Sequence, residues 1–171
     1  MELTFSLWGA VALAALLLPN LLYVFFKPRN PEKVEPPKPF LGWLEQLGRM
    51  GCILLMCIGI GPFQFGFRSA ELAVIWMITM AACIAVYWGL WVWYFVNGRQ
   101  IAPWSRMPMA IVLSAAFLLT GGLCGNVALL LFAAIFAFAH CYNTYGMVRQ
   151  LRAQEHEAGK RTNPAKRKKN A

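Results

Sequence analysis

Polar side chains are rare within the apolar stretches of this chain, and their spacing identifies the residues that could do chemistry. Glu45 and Arg49 are four residues apart, which places them on one helix face and allows an ion pair. His140 and Asn143 are three residues apart and share a helix face in the same way. Asn20 follows a proline that removes a backbone hydrogen bond from the first apolar stretch. Because a polar group in hydrocarbon must find a partner or water, these residues are the first candidates for function.

His140 is the only ionisable side chain well inside an apolar stretch, so its imidazole is the first group to consider for acid-base or metal chemistry. It could accept a proton, ligate a metal or act with Glu45 as an acid and base pair. The simpler alternative is a buried histidine whose ring nitrogens form hydrogen bonds with neighbouring residues and do no chemistry. No serine, aspartate or second histidine completes a recognisable catalytic constellation with these two residues. The chain contains no aspartate at all, which removes carboxylate-rich magnesium sites.

The cysteines show no spacing that is typical of a metal or redox site. Each lies inside or at the edge of an apolar stretch, and none forms a CxxC pair: Cys52, Cys57, Cys83, Cys124 and Cys141. The first two are five residues apart, which places them on different helix faces and encodes neither a zinc site nor a dithiol. Small apolar packing residues are the simpler interpretation. The sequence therefore predicts no catalytic site, no metal site and no cofactor.

The elements that must position the polar residues are membrane helices. Hydrophobic residues make up 59% of the 171-residue chain and charged residues only 13%, far from the balance of a soluble globular protein. Crossing a hydrocarbon core takes roughly 20 helical residues. Five apolar segments come close to that length: about 5–26, 41–61, 70–96, 107–120 and 127–147. The sequence predicts an all-α transmembrane helical bundle of about five spans.

Glycine and proline set the limits of the predicted spans. The second span should end at the breaker Gly61-Pro62, and the short fourth span should end before Gly121-Gly122. Gly125-Asn126 would then complete a tight turn into the fifth span. The transmembrane domain is predicted over 1–148, and a basic, disordered cytoplasmic tail over 149–171.

The distribution of Lys and Arg predicts the orientation, because cytoplasmic loops retain basic residues and translocated loops are depleted of them. With the N-terminus outside, fifteen of the sixteen basic residues are cytoplasmic, including Arg49 at the start of the second span, and only Arg68 is outside. The opposite orientation reverses that split. We therefore predict a multi-pass protein of the cell membrane with an external N-terminus and a cytoplasmic C-terminus.

An aromatic cluster near the end of the third span agrees with this orientation. It consists of Tyr87, Trp88, Trp91, Trp93 and Tyr94, just before the polar residues that close the span. Tyrosine and tryptophan are enriched at the headgroup level of membranes, so an interfacial belt is the predicted role. Stacking against a ligand is the alternative.

The two polar segments on the predicted cytoplasmic side differ in character. The loop over 27–39 is too rich in proline to be helical and should form an extended, polyproline-like strap. Its clustered prolines could alternatively dock as a PxxP motif. The tail from Gly159 contains Lys166-Arg-Lys-Lys, which can lie against anionic lipid or simply keep the tail in the cytoplasm. Because most basic residues adjoin apolar spans, nucleic acid is not a predicted partner.

In the predicted topology, the intramembrane polar residues all fall in the cytoplasmic half of the bilayer. They would form one cluster that opens to the cytoplasm and is closed by Tyr142 or Tyr145. The predicted ligand-binding residues are Asn20, Glu45, Arg49, His140, Asn143 and Tyr145. The alternative is that each polar residue separately joins two helices, through hydrogen bonds of about 0.6 kcal/mol each.

Three segments carry a resemblance that goes beyond composition: LPNLLYVFFKPRNP at 18–31, WLEQLGRMGCILL at 43–55 and FAHCYNTY at 138–145. Together they resemble a group of small, uncharacterised multi-pass membrane proteins of bacteria, over most of the chain. In that group a Pro-Asn ends the first span, Glu-Gln-x-Gly-Arg-x-Gly-Cys opens the second and a histidine occupies the last. This chain has Pro19-Asn20, Glu45 to Cys52 and His140 at those places. The resemblance implies membrane location and these site residues, and it implies no activity.

Three functions are compatible with these features. The first is a helical bundle in the lipid bilayer that binds a lipid or small molecule, or assembles with a membrane protein or with copies of itself. The alternative is a small transporter or channel subunit, for which only Pro19 and the Gly59-Ile-Gly-Pro62 break suggest interrupted helices. The third is a membrane-embedded enzyme that uses His140 and Glu45. We predict the first, because it requires neither interrupted helices nor a catalytic constellation.

Overall fold

Five helices and two short strands form most of the chain that the computed structural model describes, which is residues 3–26, 34–36, 38–60, 63–97 and 103–162. In order they are β1 (Leu3–Phe5), α1 (Leu7–Phe25), α2 (Pro39–Cys57), β2 (Ile58–Ile60), α3 (Ala70–Val96), α4 (Pro103–Cys124) and α5 (Val127–Thr162). The predicted helical bundle is confirmed. The two strands are a feature that the sequence did not predict.

The helices form a ring in which each packs mainly against two others, in the order α1, α2, α5, α4, α3 and back to α1. At one end, which we call the strand end, β1 pairs antiparallel with β2, and Arg68 lies beside Gly125 in the turn between α4 and α5. At the opposite end, the tail end, the hydroxyl of Tyr94 donates a hydrogen bond to the carbonyl of Phe26 at 3.1 Å. Helices that follow one another in the sequence therefore run in opposite directions.

Polar residues cap the helices at the strand end. The side-chain oxygens of Ser6, Ser69 and Asn126 each accept a hydrogen bond from a backbone N–H three residues later, at 3.1, 3.3 and 3.0 Å. Gly125 has a φ of 65°, which glycine adopts without a steric penalty. The N–H groups of Gly125 and Asn126 bond back to carbonyls of α4 at 3.1 and 3.0 Å, in the pattern of a Schellman motif. The tight turn predicted here is therefore present.

The fourth helix is longer than predicted. α4 covers Pro103–Cys124, whereas the sequence suggested about 107–120, because Gly121 and Gly122 lie within its last turn and do not end it. Gly121 is needed for packing: a Cβ on it would lie 2.8 Å from the backbone N of Leu130 on α5. Gly121 therefore allows α4 and α5 to approach closely, whereas a Cβ on Gly122 would meet nothing within 4 Å.

Four of the described helices, α1, α3, α4 and α5, are long and apolar enough to cross a membrane. This finding indicates a membrane protein. α2 has 19 residues but does not reach the same apolar character, because Glu45, Gln46 and Arg49 lie in its middle. It also ends at Cys57, where β2 begins, so the second predicted segment is helical only as far as that residue.

The predicted tail differs from expectation over its first half. α5 continues to Thr162, so residues 149–162 are helical and not disordered. At 1.5 Å per residue, its 36 residues extend for about 54 Å, well beyond a hydrocarbon core of about 30 Å. The side chain of Gln150 accepts a hydrogen bond from the backbone N–H of Glu35 at 2.9 Å, so this extension lies against part of the proline-rich loop. Residues 27–33 and 37 of that loop, and 163–171 of the tail, lie outside the described residues.

The aromatic cluster is mostly internal, so the interfacial-belt prediction is wrong for three of its five members. Tyr87, Trp91 and Tyr94 are 3%, 7% and 0% exposed. They follow each other at intervals of four and three residues, which places them on one face of α3. Trp88, on the outer side, donates its indole N–H to the carbonyl of Ala15 at 2.8 Å. Composition identified the aromatic rings, but the position of neighbouring helices decided which way they face.

The interface between α2 and α5 depends on small residues. A Cβ on Gly48 would lie 2.6 Å from the backbone N of Phe136, and one on Gly51 would overlap the ring of Phe132. Helices in membranes commonly pack through such positions, because small residues let backbones approach closely. This close approach brings the polar residues of α2 within reach of α5.

We expect Gly48→Ala to destabilise the bundle and Gly89→Ala to leave it unchanged or slightly more stable. A Cβ at position 89 meets nothing within 4 Å, so only the higher helix propensity of alanine acts there. At position 48 the overpacking should outweigh that gain and lower the free energy of unfolding by about 1–3 kcal/mol. Thermal unfolding of both variants in one mild detergent measures the difference, and equal stability of the two would contradict this packing.

Candidate functional site

The predicted polar residues of α2 and α5 meet at the carboxylate of Glu45. Its Oε1 accepts a hydrogen bond from Nη2 of Arg49 at 2.7 Å and lies 2.9 Å from Nδ1 of His140. Its Oε2 accepts a hydrogen bond from Nδ2 of Asn143 at 2.7 Å. Arg49 lies in the middle of α2, about 15 Å along the helix from its start at Pro39, and not at the start of the span as predicted. One carboxylate therefore joins three partners inside the bundle.

These contacts define which ring nitrogen of His140 donates to Glu45. The ion pair with Arg49 holds Glu45 as an ionised acceptor, which has no hydrogen to give. Nδ1 of His140 must therefore be the ring nitrogen that donates, and Nε2 faces away from Glu45. Glu45, Arg49 and His140 together are neutral when His140 is neutral and carry one positive charge when it is protonated.

Phe136 supports the cationic side of this network. The ring of His140 stacks on that of Phe136, with centroids 4.8 Å apart and planes at 15°. The guanidinium carbon of Arg49 lies 5.8 Å from the centroid of the same ring, within the range of a cation–π interaction. Both side chains are thus held by Glu45 on one side and by Phe136 on the other.

A cavity of about 420 Å³ lies inside the ring of helices, next to this network. Small-molecule sites in proteins typically measure about 300–1,000 Å³. All five helices contribute to its lining, with Asn20 from α1, Arg49 from α2, Tyr87 and Trp91 from α3, Arg106 and Leu113 from α4, and His140 and Thr144 from α5. The cavity is therefore a product of the whole ring and not of one pair of helices.

Two helices line the cavity with regular stripes of side chains. On α5 the stripe runs from Phe136 through His140 and Thr144 to Met147, at helical intervals of four and three residues. At the tail end of this stripe, Nη1 of Arg106 donates to the sulfur of Met147 at 2.7 Å. Arg106 thus enters the cavity from α4, whereas Arg49 enters from α2, on the other side of α5.

Asn20 belongs to the cavity but not to the Glu45 network. Its Oδ1 accepts a hydrogen bond from the hydroxyl of Tyr87 at 3.0 Å, which joins α1 to α3. The ring of Trp91 stands edge-on to that of Tyr87, with centroids 6.3 Å apart. The buried indole N–H of Trp91 lies near the hydroxyl of Tyr87 but makes no hydrogen bond of standard geometry with a described residue. A donor is therefore left on the cavity side of α3.

The structure brings five of the six predicted site residues to one region and leaves the sixth apart. Tyr145 is 59% exposed and does not line the cavity, and Tyr142 is likewise on the outer surface. Sequence reasoning missed Arg106, Tyr87 and Trp91, because it placed the first in a loop and the others in an interfacial belt. The spacing of Arg106, Ala110, Leu113 and Phe117 on one face of α4 was the available signal.

Side chains that could ligate a metal ion are dispersed through the described part of the chain. Among the described residues, no three His, Cys, Asp or Glu side chains come together in a way that could hold a metal ion. Glu45 has both oxygens in hydrogen bonds, and the cysteines in the described ranges are unbridged.

No protein family, curated protein or solved structure matches this chain.

We expect Glu45 and His140 to be energetically coupled. A double-mutant cycle with Glu45→Gln and His140→Phe keeps the stacking on Phe136 and removes the polar contact. Its coupling energy should be about 0.6–1.7 kcal/mol, as for hydrogen bonds between membrane helices.

The matched control cycle pairs Glu45→Gln with Tyr145→Phe, whose side chain lies outside the network, and its coupling should be near zero. Unfolding free energies from denaturing-detergent titrations provide both values. Equal coupling energies in the two cycles would mean that the polar contact between Glu45 and His140 does not stabilise the structure.

Proposed function

We propose that this chain is a membrane-spanning binding protein whose cavity receives a small molecule or lipid from the cytoplasmic side. The observation that carries the proposal is the cavity itself, which combines polar groups with an apolar wall and is lined by all five helices. Such a mixture is typical of ligand sites, where a few convergent polar groups orient an otherwise apolar contact. The protein acts by binding, alone or as an accessory to a membrane partner.

The ring supports α2 as the fifth membrane span. α2 lies between α1 and α5 and runs from the tail end to the strand end, like a spanning helix. Its charged residues are satisfied inside the bundle, since Glu45 bonds to Arg49, His140 and Asn143. Lipid therefore need not solvate them, which removes the main objection to a charged helix in a membrane.

The placement of basic residues supports a cytoplasmic tail end in the cell membrane. Arg49 and Arg106 lie in helices and no longer count as loop residues. Every other Lys and Arg except Arg68 falls in the connections at the tail end or beyond the apolar part of α5. The positive-inside rule then favours an external N-terminus, a cytoplasmic C-terminus and a cavity nearer the cytoplasm.

Binding accounts for the site better than transport or catalysis does. Towards the strand end, the cavity is bounded by Phe117 and Phe136, whose buried rings pack edge to face at 5.5 Å between centroids. This barrier favours a closed pocket over a pore. Both oxygens of Glu45 accept hydrogen bonds from Arg49, His140 and Asn143, which favours a role in holding these neighbours in place.

Reporter fusions test the proposed topology. Alkaline phosphatase fused after Phe67, at the strand end, should be active in a bacterial host, and a fluorescent protein fused at the C-terminus should fluoresce. With the two reporters exchanged, the fluorescent protein after Phe67 should not fluoresce and alkaline phosphatase at the C-terminus should be inactive. Each reporter works on one side of the membrane only. If α2 does not cross, the fusion after Phe67 would be inactive as a phosphatase and this topology would be wrong.

Filling the cavity tests the binding function. Ala110 is buried and lines the cavity, so Ala110→Phe should exclude the ligand. Ile111→Phe adds a ring to the outer face of the same helix, where Ile111 is exposed, and should leave the ligand in place. Native mass spectrometry in mild detergent should find a bound mass on the wild type and on Ile111→Phe, and at least tenfold less on Ala110→Phe.

Far-UV circular dichroism and gel filtration confirm that both variants are folded before the bound masses are compared. The absence of any bound mass on the wild type, or an equal mass on both variants, would contradict the proposal.

A further inference from the structure

The lining of the cavity has more hydrogen-bond donors than acceptors, and this imbalance bears on the ligand that the proposed function requires. Arg49 uses one nitrogen on Glu45, and a guanidinium carries five N–H donors. The buried N–H of Trp91 is a further donor without a hydrogen bond of standard geometry to a described residue. On the acceptor side, the Oδ1 of Asn20 already accepts from Tyr87. A complementary ligand is therefore rich in acceptors.

Charge adds to this preference. The described residues that line the cavity include Arg49, Arg106 and His140 and no carboxylate. Glu45 stands behind the lining, where its oxygens hold Arg49, His140 and Asn143 in place. Charges interact more strongly in an apolar surrounding than in water, so the guanidinium of Arg106 attracts an anion in this cavity. Glu45 balances the charge of Arg49, whose remaining N–H groups can still donate to the same anion. Arginine also suits phosphate and carboxylate groups in particular, because its planar fork can bond to two oxygens at once.

The size and the apolar wall exclude a small inorganic anion as the best fit. One phosphate would leave most of the 420 Å³ unfilled. Leu17, Leu113 and Phe117 provide an apolar surface in the same cavity, and burying an apolar body there is favourable. The occupant should therefore combine an anionic group with an apolar part.

We infer that the cavity binds an amphiphilic anion, with its phosphate or carboxylate group between Arg49 and Arg106 and its apolar part against Leu113 and Phe117. This assignment rests on the proposed binding function. The two arginines approach from helices on either side of α5, so they can contact different oxygens of one group. A lipid with an anionic headgroup and a soluble anion with an apolar body share this chemistry.

Three probes separate the elements of this chemistry in the intact protein. Lysophosphatidate has a phosphate and one acyl chain, monoacylglycerol has the chain without the phosphate, and inorganic phosphate has no chain. Binding is measured by titration of the detergent-purified wild type in native mass spectrometry. Lysophosphatidate should bind at least tenfold more tightly than monoacylglycerol, and inorganic phosphate should bind more weakly than lysophosphatidate.

Substitution of Arg106 assigns the preference to the cavity. Arg106→Gln should bring the affinities for lysophosphatidate and monoacylglycerol to within about threefold of each other. Arg106→Lys keeps the positive charge but not the planar fork, so it should retain part of the preference. Arg152→Gln removes one positive charge from the exposed face of the α5 extension and should change nothing. Unfolding temperatures without ligand establish that each variant is folded.

Each outcome has a defined meaning. Equal affinity of the wild type for lysophosphatidate and monoacylglycerol, or an unchanged preference in Arg106→Gln, would overturn the anion assignment. Inorganic phosphate binding as tightly as lysophosphatidate would overturn the amphiphile assignment and indicate a soluble anion. If no probe binds but the wild type shows a bound ligand that Ala110→Phe lacks, the binding function stands and the assignment of an amphiphilic anion fails. If the purified wild type shows no additional mass from a bound ligand, the binding function itself fails.

Discussion

The shared carboxylate of Glu45 is the interaction on which the rest of this structure depends. A charged side chain within a membrane bundle is costly unless it is paired, and Glu45 is paired with donors from two helices. Removing the carboxylate would leave Arg49, His140 and Asn143 without the acceptor that they share. The network therefore ties α2 to α5 more strongly than apolar contact alone would.

Close backbone packing makes that network possible. Gly48 lies against the backbone of Phe136, so the faces of α2 and α5 come near enough for Glu45 to reach His140. The same contact closes one side of the ring, and α1, α3 and α4 complete it. A ring of five helices encloses space that two or three packed helices would not, and the rings of Phe117 and Phe136 fill it towards the strand end. The polar cavity near the tail end is the space that remains.

Much of this arrangement could be predicted from the sequence. The helical bundle, most helix positions and the grouping of Glu45, Arg49, His140 and Asn143 followed from the length of the apolar segments and from the scarcity of polar residues. The orientation of side chains around each helix did not follow, because it depends on which neighbours a helix meets. The sequence predicts interfacial positions for Tyr87 and Trp91 and a loop position for Arg106, although all three line the cavity. The continuation of α5 to Thr162 was hidden by polar composition, which a helix outside the membrane tolerates.

The most direct test of a bound anion in this cavity is the distance between the phosphorus of lysophosphatidate and the guanidinium nitrogens of the protein. Solid-state NMR can measure it by ¹⁵N–³¹P dipolar recoupling on protein with ¹⁵N-labelled arginine in bilayers, with Arg49 and Arg106 assigned through single substitutions. A salt-bridged phosphate should place phosphorus within about 4 Å of a guanidinium nitrogen of both residues. Two results would contradict a phosphate bound between these arginines. One is ³¹P dephasing of the arginine ¹⁵N signal that persists after both arginines are substituted, and the other is no such dephasing in the wild type with ligand bound.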